Sequence, residues 1–153
     1  MTKIFRVVLV MFLCLSTVSL KAESLAEIGG KNAPVEARQY DWSKVMDAII
    51  YVESRGNVMA VSGKSVGPMQ ITPVLVAECN NILKSRKINK RYTLKDRYDL
   101  EKSKEMFLLI QSHANPKNNV EQAIRSWNGG YKYSVKRTQK YYERVMRRLK
   151  AIQ

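Results

Sequence analysis

Five stretches of this chain repeat apolar residues every three or four positions, and runs that alternate apolar with polar residues, as strands do, are scarce. The first carries Trp42, Val45, Met46, Ile49 and Ile50, with Asp41 or Ser43 placed to cap it and Gly56-Asn57 placed to stop it close to Arg55. The second starts at Thr72-Pro73, where Thr caps and Pro at the first helical position forfeits no needed N–H, and presents Leu75, Cys79, Ile82 and Leu83. Asp99 precedes a third that runs to about His113 with Met106, Phe107, Leu109 and Ile110, and Asn115-Pro116 ends it. Asn118 or Asn119 opens a short fourth through Val120, Ala123, Ile124 and Trp127, which breaks at Asn128-Gly129-Gly130. In the last, Thr138, Tyr141, Tyr142, Val145, Met146, Leu149 and Ile152 form one stripe and Lys or Arg fills most of the rest.

Between these helices, residues 56–72 hold three glycines and Pro68, which predicts a structured loop able to contain a small hairpin. The basic stretch Lys84–Arg97 has poor periodicity and predicts a loop with no more than a short turn of helix. The fold class is mainly α, a single domain with a small loop or β region.

Upstream, Lys3 and Arg6 precede the apolar run Val7–Leu15, which shades through Ser16–Ser19 to Ala22. This is the pattern of a secretory signal peptide cleaved after Ala22, and the run is shorter than the roughly 20 residues a membrane span needs. The expected organisation is residues 1–22 as signal peptide, 23–40 as linker or N-terminal arm, and 41–153 as the domain, exported to the periplasm or wall; an uncleaved anchor is the alternative. Leu13 stands where a lipoprotein signal carries a small residue before its cysteine, so lipidation of Cys14 is not expected. Cys79 is then alone, no internal disulfide can form, and stability must come from the core. Cleavage removes Lys3, Arg6 and Lys21 and no acid, so the formal charge falls from +14 to +11. Such a charge favours polyanionic partners: nucleic acid, anionic lipid, or wall polymer bearing carboxylates and phosphates.

One step beyond the first stripe, at position 53, stands a glutamate. A carboxyl on the core-facing side of a helix's last turn is desolvated and meets the negative end of the helix dipole, and both raise its pKa. A carboxyl still protonated near neutrality is the proton donor that cleavage of a glycosidic bond requires. The plainer alternative is a Glu that turns to solvent or pairs with Arg55.

Here the residues resemble a known family. Glu53-Ser54-Arg55-Gly56-Asn57 is similar to the Glu-Ser-x-x-Asn motif of the soluble-type (SLT) lytic transglycosylases, and Gly67-Pro68-Met69-Gln70-Ile71-Thr72-Pro73 to their Gly-Leu-Met-Gln-Ile-x-Pro. Ala123–Gly130 resembles their Ala-x-x-x-Tyr-Asn-x-Gly, and Tyr141–Val145 their Tyr-x-x-Lys-Val. The four blocks fall in the family's order.

The resemblance implies a lysozyme-like domain with a groove for peptidoglycan strands, needing neither cofactor nor metal. It implies Glu53 as acid and then base in cutting the bond between N-acetylmuramic acid and N-acetylglucosamine, with the acetamido oxygen standing in for a second carboxylate and a 1,6-anhydro ring as product. It implies Tyr141 as the residue that orients Glu53, and Ser54, Met69, Gln70, Trp127 and Asn128 as sugar-binding residues. From the residues themselves, Met69 is equally a core residue, and Tyr on an apolar stripe is ordinarily packing. Pro68, Trp127 and Gly129 depart from the family pattern, which leaves the sugar contacts less determined than the acid.

Ser62-Gly63-Lys64-Ser65 lacks the preceding glycine and strand of a phosphate loop. His113 has no Cys or acidic cluster at ligand spacing and reads as a helix-end residue. Two competing functions remain. One is a hydrolytic goose-type lysozyme, told apart by its reducing ends. The other is a cationic wall- or nucleic-acid-binding module built on the basic last helix with Tyr131, Tyr133, Tyr141 and Tyr142; export disfavours nucleic acid as the partner. A small exported domain of this kind is analogous to members that serve secretion, conjugation or phage assemblies, an analogy of architecture alone.

Overall fold

The structure, a computed structural model, describes residues 40–153. The expected signal peptide and nearly all of the expected arm lie outside the described residues. Five α-helices follow in order: α1 Ser43–Ser54, α2 Pro73–Ser85, α3 Leu100–Ala114, α4 Val120–Gly129 and α5 Val135–Ala151. Between α1 and α2 lies a two-residue hairpin, β1 Val61–Ser62 antiparallel to β2 Ser65–Val66, with Val61 opposite Val66. A short 3-10 turn, Lys95–Tyr98, leads into α3. The architecture is therefore mainly α with a small β region.

Local chemistry accounts for the helix boundaries. Thr72, Asp99, Asn119 and Ser134 each accept a hydrogen bond from the backbone N–H three residues on, at 3.2, 2.9, 2.8 and 3.4 Å. Each such cap stabilises its helix by about 1 kcal/mol. α1 differs: Trp42 occupies the cap position without a side-chain bond, and Asp41 accepts from Ser43 N at 2.9 Å instead. At its other end Arg55 (φ 55) and Gly56 (φ 85) are both left-handed, so the reversal begins one residue before the glycine.

α1 packs on α5, α5 on α4, and α2 on α3. Trp42, Ile49, Met69, Phe107, Ile124 and Val145 meet in one core, with the Phe107 ring 5.7 Å from Trp42 and 5.2 Å from Trp127. Burial on α5 centres on Thr138, Tyr141, Val145 and Leu149, while Tyr142, Met146 and Ile152 are half-buried. On α2, Val76 replaces Leu75 in the core and leaves Leu75 half-buried. Cys79 is buried, and burial pushes its thiol up to about 12, which leaves it unreactive.

The basic stretch before α3 is more ordered than its composition suggests. The Asn80 carboxamide clasps the Tyr92 backbone, donating to its carbonyl at 2.9 Å and accepting from its N–H at 2.8 Å, and the Tyr92 ring is buried. Arg97 is also buried and donates to the carbonyls of Leu94, Lys64 and Ile71. On α4, Arg125 is 3% exposed, bonded to Glu121, Thr138, Gln139 and the Val135 carbonyl, with its guanidinium 4.3 Å from the Tyr142 ring centre. A cation satisfied this completely ties α4 to α5 rather than facing solvent.

The hairpin loop is pressed against the 3-10 turn at Gly67, where φ is +80 and an added Cβ would lie 1.7 Å from the Arg97 carbonyl oxygen. Gly67→Ala is expected to destabilise the domain by about 3 kcal/mol or more. Gly63→Ala, at φ +59 but facing open space, is expected to cost only about 1 kcal/mol. Urea unfolding of the two variants measures the difference, and equal losses would contradict the close packing.

Candidate active site

Glu53 occupies the last turn of α1, and its carboxyl is half-buried against α5. The Tyr141 hydroxyl donates to Glu53 Oε1 at 2.7 Å. Burial raises the Glu53 pKa above the ordinary carboxylate value and outweighs two opposing influences, the Tyr141 hydrogen bond and the Arg144 charge. Burial and the neighbouring Glu53 hold the Tyr141 phenol well above its own ordinary value, so it remains a donor. The pairing of Glu53 with Arg55 does not occur; Arg55 lies instead over the Tyr51 ring, 5.6 Å from its centre.

The loop across from Glu53 is fastened by residues that the sequence marked as sugar ligands. The Ser54 hydroxyl lies 2.8 Å from the Pro68 carbonyl and 3.3 Å from the Ile50 carbonyl, and accepts from Gly56 N at 3.1 Å. Its one proton is spent on backbone, so Ser54 clasps the loop to α1 and keeps one lone pair for a ligand. Met69 is fully buried, in keeping with the core reading of the two that its residue type allowed. What Met69 contributes is its carbonyl, which accepts from Trp127 Nε1 at 3.1 Å and binds the loop to α4. Gln70 takes a left-handed φ of 50, and its amide nitrogen donates to the carbonyls of Gly67 and Ala60 at 2.9 and 3.3 Å. Only its carboxamide oxygen is left for a ligand.

Glu53, Ser62, Ser65, Gln70, Trp127 and Asn128 line a hollow of about 210 Å³. A second of about 380 Å³ shares Thr72, Leu75, Trp127 and Asn128 with it and adds Val74, Glu78 and Tyr131. Sharing these four residues, the two hollows make up one groove region with Trp127 common to both. Of the expected site residues, Glu53, Gln70, Trp127 and Asn128 line this groove directly and Tyr141 reaches it through Glu53. Gly129 is required by packing, since a Cβ there would lie 2.8 Å from Tyr133 Cβ and 2.9 Å from Thr138 Cγ2.

Sequence reasoning missed Ser62, Ser65, Thr72 and Leu75 as groove residues. Ser62 and Ser65 belong to a hairpin too short to show alternation, and the segment they bound is a hairpin turn, not the strand-to-helix junction of a phosphate loop. Leu75 was assigned to the core, and Tyr131 only to a basic binding surface. His113 is exposed at the end of α3, and among the described residues no cluster of His, Cys, Asp or Glu is arranged to hold a metal ion.

The sequence profile of the transglycosylase SLT domain matches residues 33–149. The match contains every groove residue and reaches back into residues 33–40, which periodicity leaves outside the domain. No curated protein and no solved structure matches the chain.

A carboxyl whose folded pKa is raised contributes its full share of stability below the unfolded value and loses it as pH rises through the folded one. Glu53→Gln, which keeps an acceptor for Tyr141, is therefore expected to melt a few degrees above the parent near and beyond neutrality. The gain should vanish toward about pH 4. Thermal melts across that range measure it, and a gain independent of pH would mean that the Glu53 carboxyl is not desolvated.

Proposed function

The chain belongs to the transglycosylase SLT domain family, and from that premise we propose that this lytic transglycosylase of peptidoglycan uses Glu53 as its general acid and base. The observation that carries the proposal is a carboxyl held at the groove floor with a raised pKa and with one oxygen pinned by Tyr141 at 2.7 Å. With Oε1 occupied, Oε2 presents the proton to the oxygen joining N-acetylmuramic acid to N-acetylglucosamine. That C–O bond breaks, the departing sugar leaves as an alcohol, and the acetamido oxygen of the muramic residue supports the electron-poor carbon. Glu53, now a carboxylate, takes the proton of the 6-hydroxyl as its oxygen bonds to that carbon and closes the 1,6-anhydro ring.

A double displacement through an enzyme nucleophile needs a second carboxylate about 5 Å from the acid. Among the described residues no other acid lines the hollow around Glu53, and Glu78 in the neighbouring one accepts a hydrogen bond from Tyr131 at 3.3 Å. This supports substrate assistance. Trp127 offers a ring face to a sugar, and Gln70 and Asn128 offer polar groups to hydroxyl or acetamido substituents. Export through the N-terminal segment would bring the enzyme to the wall, and the basic face of α5 would hold it near anionic wall or membrane surface.

Digestion of purified murein is expected to yield anhydro-muropeptides by mass spectrometry. Glu53→Gln is expected to lower the rate by about 10²–10⁴-fold. Reducing muramic ends would replace this reading with hydrolysis of the goose-lysozyme kind, and folded protein that binds murein without cutting it would leave a binding module. Tyr141→Phe removes a hydrogen bond that favours the carboxylate, so Glu53 should titrate still higher and the alkaline limb of the rate profile should move to higher pH. The rate at the optimum should fall about tenfold to a hundredfold. An unmoved limb would separate Glu53 from the proton transfer.

A further inference from the structure

Beyond Glu53, where α1 meets the end of α5, Tyr51, Arg55, Arg144, Arg147 and Arg148 line a separate hollow of about 460 Å³. Two of the guanidinium groups address one ring: Arg148 lies 4.0 Å and Arg55 5.6 Å from the Tyr51 centroid. The ion pairs among the described residues involve none of these four arginines. Arg148 Nε is buried and has no acceptor among the described residues. A desolvated guanidinium donor with no acceptor is costly, and four like charges in one hollow repel one another. The negative end of the α5 dipole offsets part of this, and an anion would offset the rest.

The hollow shares no lining residue with the groove but lies close enough for the charge of Arg144 to act on Glu53. Val52, next to Glu53, lines it, and the Arg144 guanidinium stands 5.8 Å from the ring of Tyr141, whose hydroxyl holds Glu53. A glycan strand cut at Glu53 carries on its muramic residues lactyl-linked peptide stems with free carboxylates, small anionic groups on flexible tethers. A concave site with planar forks and an aromatic wall suits such a group better than it suits a flat anionic surface. We propose that the arginine hollow is a subsite for the carboxylates of the peptide stems, so that this enzyme binds stem-bearing strands in preference to bare glycan. The inference rests on Glu53 marking the place of cleavage.

The test uses Glu53→Gln protein, whose slowed turnover leaves the strands intact during the measurement, with soluble glycan strands either bearing stems or stripped of them by an amidase. Calorimetry is expected to show binding about tenfold tighter for stem-bearing strands. Arg55→Gln/Arg147→Gln, at two exposed positions, should lose that advantage and keep the parent's affinity for bare strands, with an unchanged circular dichroism spectrum. Arg55→Lys/Arg147→Lys should recover part of the advantage. Equal binding of the two strands by the parent, or equal losses on both in the Gln variant, would overturn the proposal. Competition through the same arginines by a phosphodiester polymer or anionic vesicles, without competition by free stem peptide, would overturn it in favour of phosphate. Stem-selective binding by the parent with no cleavage by wild-type protein would defeat the catalytic reading alone, and wild-type cleavage with no stem preference would defeat the subsite alone.

Discussion

A carboxyl placed where an apolar helix stripe meets a second helix is unfavourable to ionise, and the candidate site is arranged around that cost. Desolvation acts on the charged form of Glu53, and the Tyr141 hydrogen bond and the Arg144 charge only partly counter it. The balance exists only while α1 and α5 stay docked, because Glu53 belongs to one and both opposing groups belong to the other. Core residues such as Ile49 and Val145, fully buried at that junction, therefore set the acidity of a group they do not chemically modify.

The opposite wall depends on a different device. A loop with several left-handed residues has little internal reason to keep one shape, yet backbone carbonyls here are claimed from three directions. Ser54 fastens Pro68 from α1, Trp127 fastens Met69 from α4, and Arg97 fastens Lys64 and Ile71 from the 3-10 turn. Gly67 lets the loop approach the Arg97 backbone closely enough for these bonds to form. Buried carbonyls need donors, and side chains from three elements supply them. The indole of Trp127 thereby both lines the groove and holds the loop that carries Gln70.

Helix extents, three of the four capping residues that bond their helices, and the position of Glu53 at the end of an apolar stripe were legible from residues a few places apart. Ser134 went unrecognised as a cap, and so did the buried cations. Arg97 and Arg125 are charged, and a reading by hydrophobic period assigns charged residues to solvent, whereas a guanidinium with every donor satisfied can be interior. Tyr92 was hidden in the same way by the basic residues around it. Motif likeness marked Ser54 and Met69 without distinguishing a residue that touches a ligand from one that shapes the loop beside it.

Sequence by itself determined five helices, the stops of the first, third and fourth, a breaker-rich loop after the first and a carboxyl on a core-facing stripe. These depend on spacings within a turn or two, where the backbone's own period acts as the ruler. Tertiary structure decided which groups converge: Arg97 on Ile71 across 26 residues, Trp127 on Met69 across 58, and Tyr141 on Glu53 across 88. No local period encodes such separations. They are fixed when the apolar stripes pack together, and only then does a tyrosine meet a glutamate and Arg55 join the three arginines of one α5 turn in one hollow.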